Sequence, residues 1–301
     1  MPANQGRLHE HVVGSATQPK QEPHVSALLG DTAQRDYADK LSLFNAFAAS
    51  ELDLAISETM GLSPGAVVLD AGCGVGATLP MLSRRVAPDG LVIGVDLATA
   101  HVKRARLQGA PCVHVIQGSV ANTPLARGSV DAIWCANTIN HFKDPVAVIG
   151  GLARLLRPGG RIALAQSSLL PDMYFCWDER LEGAVNDAVR AYYRDRYGLQ
   201  REEASGIRRL VGNMRSAGLA DVRPRTFTLE RVAPVDPATR TYLLDCIFRG
   251  TWGERLRKYL SAADFTTLEN LCDPASEGFA LDRADFHFLQ TFTTVVGTLP
   301  S

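Results

Sequence analysis

Charge of either sign is nearly absent as an excess: 31 Lys and Arg stand against 32 Asp and Glu, a formal net charge of −1. That balance argues against a surface that wraps nucleic acid, where clustered cations supply the affinity, although a local basic patch can hide in a balanced total. Long hydrophobic runs are also missing. No stretch approaches the ~18 consecutive apolar residues of a membrane span. The start, with His9, His11 and polar neighbours, does not resemble a secretory signal. The expectation is a cytoplasmic protein with no nucleic-acid or membrane partner.

Cysteine is sparse as well. The six cysteines (Cys73, Cys112, Cys135, Cys176, Cys246, Cys272) are scattered with no C-x-x-C pair, which indicates neither a zinc knuckle nor a disulfide framework. Cys73 reads as a small packing residue. The pair His9 and His11 lacks a nearby third ligand, so no metal site is expected. Residues 1–30, rich in Gln, His, Pro and Ser, have no apolar periodicity and read as a disordered tail. Residues 31–301 are long enough to bury a sizeable core as one elaborated domain.

That domain is organised around Val67-Val68-Leu69-Asp70-Ala71-Gly72-Cys73-Gly74-Val75-Gly76-Ala77. An apolar run ends in a carboxylate and enters a glycine-rich turn, followed by apolar residues at helical spacing (Leu79, Met81, Leu82). Glycine lets a ligand approach the backbone, and the helix behind it presents unpaired N–H groups. Gly72, Gly74 and Ala77 alone also fit the dinucleotide fingerprint. Two acids sharpen the signal. Asp70 ends a buried-type strand and needs a partner, which a cationic or multiply donating ligand would supply. Asp96 ends a second such strand, Leu91 to Asp96, about 20 residues on, where an acid accepts hydrogen bonds from ribose hydroxyls.

Residues 60–168 resemble a class I S-adenosylmethionine-dependent methyltransferase, with the D-x-G-x-G turn, the second acid and the Arg157-Pro158-Gly159-Gly160 turn matching in order. The resemblance implies a doubly wound, mostly parallel, seven-stranded α/β sheet of Rossmann-like type, with helical insertions forming a lid. It implies S-adenosylmethionine as cofactor, the amino-acid end wrapped by Asp70, Gly72 and Gly74, the ribose held by Asp96, and Leu97 against the adenine. It also places His101 beside the adenine, where an apolar residue is usual, leaving stacking or solvent exposure open. Ser119 stands where relatives carry an aspartate that binds the adenine amine; a hydroxyl accepts hydrogen bonds without charge, and the Val120 N–H can still read the ring.

Around this centre, residues 36–60 carry helical periodicity with a stripe of Tyr37, Leu41, Phe44 and Ala48, and Ser50 with Asp53 resembles a capping box. In the resembled family such N-terminal helices lid the cofactor. Tyr37 is the candidate to face the transferring methyl, or else a helix anchor. Cys112–Gln117 and Ser129–Ala136 read as strands. The loop after the latter, with Asn137 and His141, should lie near the sulfonium. Asp144 and Pro145 start a helix reaching Leu156. Helical insertions are expected at about 172–217 and 234–283, with strands Val222–Val232 and Phe286–Thr293. Arg223, Arg225 and Arg231 read as one solvated face.

Methyl transfer needs positioning, exclusion of water and, for some acceptors, removal of a proton. His141 is the candidate base. Tyr192 and Tyr193 either orient an acceptor hydroxyl or simply pack. With Tyr174, Phe175, Trp177 and Tyr197, they suggest a small apolar or aromatic acceptor, as in the quinone- and natural-product-methylating members of the resembled group. Two alternatives remain: an NAD(P)-dependent oxidoreductase, and a catalytically silent cofactor-binding protein. An RNA or protein methyltransferase is disfavoured, because Asn137-Thr138-Ile139-Asn140 is no N-P-P-Y-type tetrad.

Overall fold

A computed structural model of the chain describes residues 38–167, 174–175, 178–197 and 206–301. Strands β1 (Val67–Ala71), β2 (Leu91–Asp96), β3 (Val113–Gln117), β4 (Val130–Ala136) and β5 (Leu156–Ser167) pair in parallel. Strand β8 (His287–Thr298) runs antiparallel between β5 and β7 (Ala220–Val232), giving the order β3-β2-β1-β4-β5-β8-β7. A two-residue strand, β6 (Tyr174–Phe175), pairs with Leu289 and Phe288 on the β8 edge that β5 occupies further along. Seven full strands thus form the sheet as expected, and β6 is an addition. Crossovers leave β1 in opposite directions toward β2 and β4, so the carboxyl ends of β1 and β4 flank the switch in strand order, where open α/β sheets bind ligands.

Side-chain alternation builds a core on each face. Val67, Leu69, Ala71, Ile133, Cys135, Ile162 and Leu164 pack toward α5 (Pro145–Ala153) and α7 (Gly206–Ser216). Val68, Val92, Ala132, Trp134, Ala163 and Phe292 pack toward α2 (Ala49–Met60) and α3 (Leu79–Val86). Helix α4 (Thr99–Arg106) joins β2 to β3. Helix α5 begins as its sequence requires, with Asp144 Oδ1 accepting from Ala147 N–H at 2.9 Å. It ends at Ala153, short of Leu156, because Leu156 already pairs with Val130 at the start of β5. The Arg157–Gly160 turn is therefore a bulge within β5, and Arg157 pairs with Asp131, whose other oxygen accepts from Val67 N–H at 2.7 Å.

The N-terminal segment splits into α1 (Ala38–Phe47) and α2 at Ala48, so the expected capping box does not form: Ser50 lies inside the first turn of α2 and its hydroxyl donates to Glu51. Beyond the sheet core come α6 (Glu179–Tyr197) and, between β7 and β8, the helical insertion. The insertion opens with α8 (Pro237–Thr241), which widens into a π-helix over Tyr242–Trp252; Gly253 N–H reaches back five residues to Phe248 O at 2.9 Å. A 3₁₀ turn (Glu254–Tyr259) and α9 (Ala262–Cys272) follow.

The arginines of β7 do not share one solvated face. Arg225 pairs with Glu58, while the Arg231 side chain keeps only 17% of its exposure and reaches three elements. Its guanidinium donates to Glu51 Oε1 (2.9 Å), to Phe47 O (2.6 Å) and to Thr239 Oγ1 (3.2 Å), and lies 4.7 Å from the Phe47 ring centroid. Burial works to raise the Glu51 carboxyl, but bonds from Arg231, its own backbone N–H and Ser50 hold it below its ordinary value. Arg231→Ala should lower stability by roughly 2 kcal/mol, because it strands a half-buried carboxylate and a helix-end carbonyl. Urea unfolding should show a lower midpoint at unchanged slope. Arg231→Lys should restore less than half of the loss, since an ammonium cannot span the same acceptors.

Candidate active site

The glycine turn is held by its own backbone. Gly72 and Cys73 N–H both donate to Val95 O, at 2.8 and 3.0 Å, which folds the turn onto the end of β2. Gly72 sits at φ +80°, and a Cβ there would lie 2.2 Å from Thr138 Oγ1 in the loop after β4. Gly74, at φ +53°, has Leu41 of α1 within 3.3 Å of where its Cβ would be. The turn is thus pressed between the β4 loop and the N-terminal helix, with room for backbone only. Arg104 of α4 pins α1 from outside, donating to Asp39 at 2.6 Å.

Two carboxylates stand on either side of this turn in contrasting surroundings. Asp70 is 1% exposed, and its bond within the described residues comes from Thr78 Oγ1, at 2.5 Å. Burial pushes its carboxyl up to about 7; the Thr78 hydroxyl opposes this, and the nearby Asp96 charge adds to it. Asp96 instead is well supplied with donors. Its Oδ1 accepts from Ala98 N–H (2.9 Å) and faces His101 Nδ1 (3.1 Å), while Oδ2 accepts from Gly74 N–H (2.9 Å). His101, on the first turn of α4, is buried against Asp96 rather than turned to solvent.

The neighbouring positions complete the rim. Leu97 is half-buried, and its carbonyl accepts from Gln117 Nε2 at 3.3 Å. Ser119 Oγ accepts from Ala121 N–H at 3.2 Å, capping a 3₁₀ turn that starts at the buried Val120. Asn137 adopts φ +51°, and its Oδ1 accepts from Ser167 N–H and Oγ at 2.8 and 3.0 Å, tying the ends of β4 and β5 together. His141 lies half-buried in the 3₁₀ turn Ile139–His141, its N–H donating to Thr138 O at 3.1 Å.

The structure therefore places Asp70, Gly72 and Gly74 on one strand-and-turn segment and joins Gly74 to Asp96 and Asp96 to His101 by hydrogen bonds, with Asn137 and His141 flanking Thr138, whose side chain lies against Gly72. Tyr192 and Tyr193 belong to another neighbourhood. Their rings meet edge-on at 5.6 Å, and Tyr192 meets Tyr259 of the insertion at 6.4 Å. Tyr37, Tyr174's side chain, Trp177 and Tyr197's side chain lie outside what is described. Nothing in the sequence points to Thr78 or Thr138, and Leu41 stands out only as part of the α1 stripe. Each matters only through a residue distant in the chain or across a turn.

This geometry matches the comparisons with known proteins. A family model described as a methyltransferase domain matches residues 69–164. Nocamycin O-methyltransferase of Saccharothrix syringae is 33% identical over 207 residues, 65% of this chain and 71% of that protein. The chain belongs to the class I S-adenosylmethionine-dependent methyltransferases. A ubiquinone biosynthesis O-methyltransferase of Xanthomonas oryzae is 36% identical over 129 residues, 42% of this chain and 49% of that enzyme. Apart from the nocamycin enzyme, the chain spans about half the length of the leading curated relatives it matches. The YcgJ protein of Bacillus subtilis shares the fold, with a TM-score of 0.54 at 19% identity, over 84% of this chain and 99% of that one.

S-adenosylmethionine is accordingly the cofactor, and the residues fit it: a buried carboxylate with no cationic partner among the described residues, beside a turn with no room for a Cβ at Gly72 or Gly76. The dinucleotide alternative is set aside. The antiparallel β8 between β5 and β7 also departs from the strand order 3-2-1-4-5-6 of dinucleotide-binding sheets.

The raised Asp70 carboxyl has a measurable consequence. The folded protein holds this proton up to about pH 7, whereas the unfolded chain releases it near the ordinary value of 3.8. Stability of the ligand-free protein should then fall as pH rises from about 4 through about 7, by up to about 4 kcal/mol in total. Asp70→Asn should flatten that slope and raise the melting temperature at pH 8. An unchanged profile in the variant would contradict the assignment.

Proposed function

We propose that the chain transfers a methyl group to a small, apolar or aromatic organic acceptor, with an acceptor hydroxyl as the favoured nucleophile. The observation that carries the reading is the pair of acids ending the adjacent strands β1 and β2, bridged by the Gly74 N–H bond to Asp96. The cofactor supplies a methyl group already activated on a sulfonium. Asp70 provides the buried counter-charge for its cationic amino-acid end. Gly72 and Gly74 admit that end to the backbone, and Asp96 accepts from the ribose hydroxyls. Leu97, His101, Ser119 and Val120 border the adenine.

His141 takes the proton of the acceptor hydroxyl, acting beside the switch in strand order. Its neighbour Asn137 holds the ends of β4 and β5 in place. Phe44 of α1 and Tyr242 of the insertion, 5.8 Å apart edge to face, pack the insertion onto the N-terminal helix. Helices α1 and α2 and the insertion between β7 and β8 roof the site and exclude water, and Tyr192, with Tyr193 against it, packs on Tyr259 of that insertion. The names of the nocamycin and ubiquinone relatives agree with an acceptor of this kind and with oxygen as the methylated atom.

A second reading, a protein that binds the cofactor without transferring its methyl, is favoured by Ser119. Its oxygen is engaged by Ala121 N–H, and it brings no charge to the adenine edge.

Calorimetry with S-adenosylhomocysteine and uptake of isotopically labelled methyl into hydroxylated aromatic compounds separate these readings. Wild-type protein should bind, and Asp96→Asn should weaken binding about tenfold to a hundredfold through loss of charge-assisted hydrogen bonds. His141→Gln should lower kcat by about a hundredfold with the dissociation constant nearly unchanged. Binding without uptake by any acceptor would favour the silent protein, and absence of binding by folded protein would overturn both readings.

A further inference from the structure

The bonding of Asp96 carries a consequence for how the ribose is read. A carboxylate offers about four lone-pair sites. The described contacts occupy three of them: Ala98 N–H and His101 Nδ1 on Oδ1, and Gly74 N–H on Oδ2. Because a carboxylate oxygen only accepts, the His101 contact requires the proton on Nδ1. The two backbone donors come from segments on either side of the carboxylate, the glycine turn and the start of the β2–α4 connection. With one donor on each oxygen they set the plane of the carboxylate. The imidazole, 7% exposed and carried by the first turn of α4, adds a second donor on Oδ1, which reinforces that plane and leaves the open acceptor site on Oδ2.

We propose that His101 is a positioning residue for ribose recognition: its Nδ1–H reinforces the plane of the Asp96 carboxylate so that the remaining acceptor site on Oδ2 meets a ribose hydroxyl. The proposal rests on the reading that Asp96 holds the ribose. It differs from the stacking role suggested by sequence position, because the polar edge of the imidazole is committed to Asp96.

Two substitutions divide these roles. In His101→Asn the amide nitrogen stands as many bonds from Cβ as Nδ1 does, so the donor is kept and the ring lost. In His101→Phe the ring is kept and the donor lost. Both are titrated calorimetrically with S-adenosylhomocysteine and with its 2′-deoxy and 3′-deoxy analogues, and their melting curves establish that they fold. His101→Phe should bind S-adenosylhomocysteine about tenfold more weakly than wild type, and His101→Asn within about threefold. For the analogue lacking the hydroxyl that Asp96 holds, the penalty of His101→Phe should shrink to twofold or less, the signature of coupled groups.

The reverse order of the two variants would establish stacking and overturn the proposal. An equal penalty on all three ligands would do the same, reducing His101 to a structural role. Wild-type protein that binds all three ligands equally would place the failure in the ribose reading of Asp96, and the proposal would fall with it.

Discussion

A carboxylate shut away from water at the end of the central strand is the constraint about which the rest of this molecule is arranged. β1 is paired on both sides, so Asp70 lies beside Gly94 of β2 and Trp134 of β4 and cannot turn to solvent. One hydroxyl, that of Thr78, is too little to replace the hydration of an ionised carboxylate, and the proton affinity of Asp70 rises accordingly. A fold optimised for stability alone would place an apolar residue here. A ligand that brings a positive charge with it, as in the function proposed, would relieve this local conflict between burial and charge.

The surroundings of Asp70 are built to bring such a ligand to it. The N–H groups of Gly72 and Cys73 return to Val95 O and that of Gly74 to Asp96, so the second acid is positioned by the same loop that shapes the approach to the first. The β4 loop closes on one side through Thr138, and α1 closes on the other through Leu41. Helix α1 is in turn fixed at both ends, by Arg104 to Asp39 outside the cofactor turn and by Arg231 to the carbonyl of Phe47. Because Arg231 also reaches Thr239 at the head of the insertion, α1, the antiparallel edge of the sheet and the insertion share one guanidinium. An insertion of about fifty residues between two strands that a short hairpin could join is thereby tied to the wall of the site.

What was legible beforehand follows the same physics. Buried parallel strands announce themselves as apolar runs, and acids closing two of them stand out because nothing in a strand interior calls for a charge. The Asp70 turn, Asp96 and the Asp144-Pro145 helix start could therefore be read from residues adjacent in sequence. Arg231 could not: on an alternating strand it looks like any solvated arginine, and only the packing of α2 against β7 brings Glu51 to it. The same holds for Thr138 against Gly72. The full length of β8 was hidden because Thr293 and Thr294 break its apolar run, yet they face β7 and β5 within the sheet. The π-helix gives no periodic signal of its own. Gly250 is what a widened turn accommodates there, since a Cβ would meet Asp245 O at 2.8 Å.

The adenine edge shows how a departure from the resembled family can be absorbed locally. An aspartate at position 119 would cap the following 3₁₀ turn with a carboxylate oxygen; Ser119 does so with its hydroxyl oxygen and keeps the turn. What is lost is a charge and a second acceptor. The change also spares the site a third carboxylate beside a pair in which Asp96 already raises the proton affinity of Asp70. His101 works in the same direction by placing a donor on Asp96, so both departures lower the electrostatic cost of assembling acids around the cofactor turn. In the site as proposed, charge is concentrated at the two strand-ending acids, and the Ser119–Val120 turn meets the adenine without one.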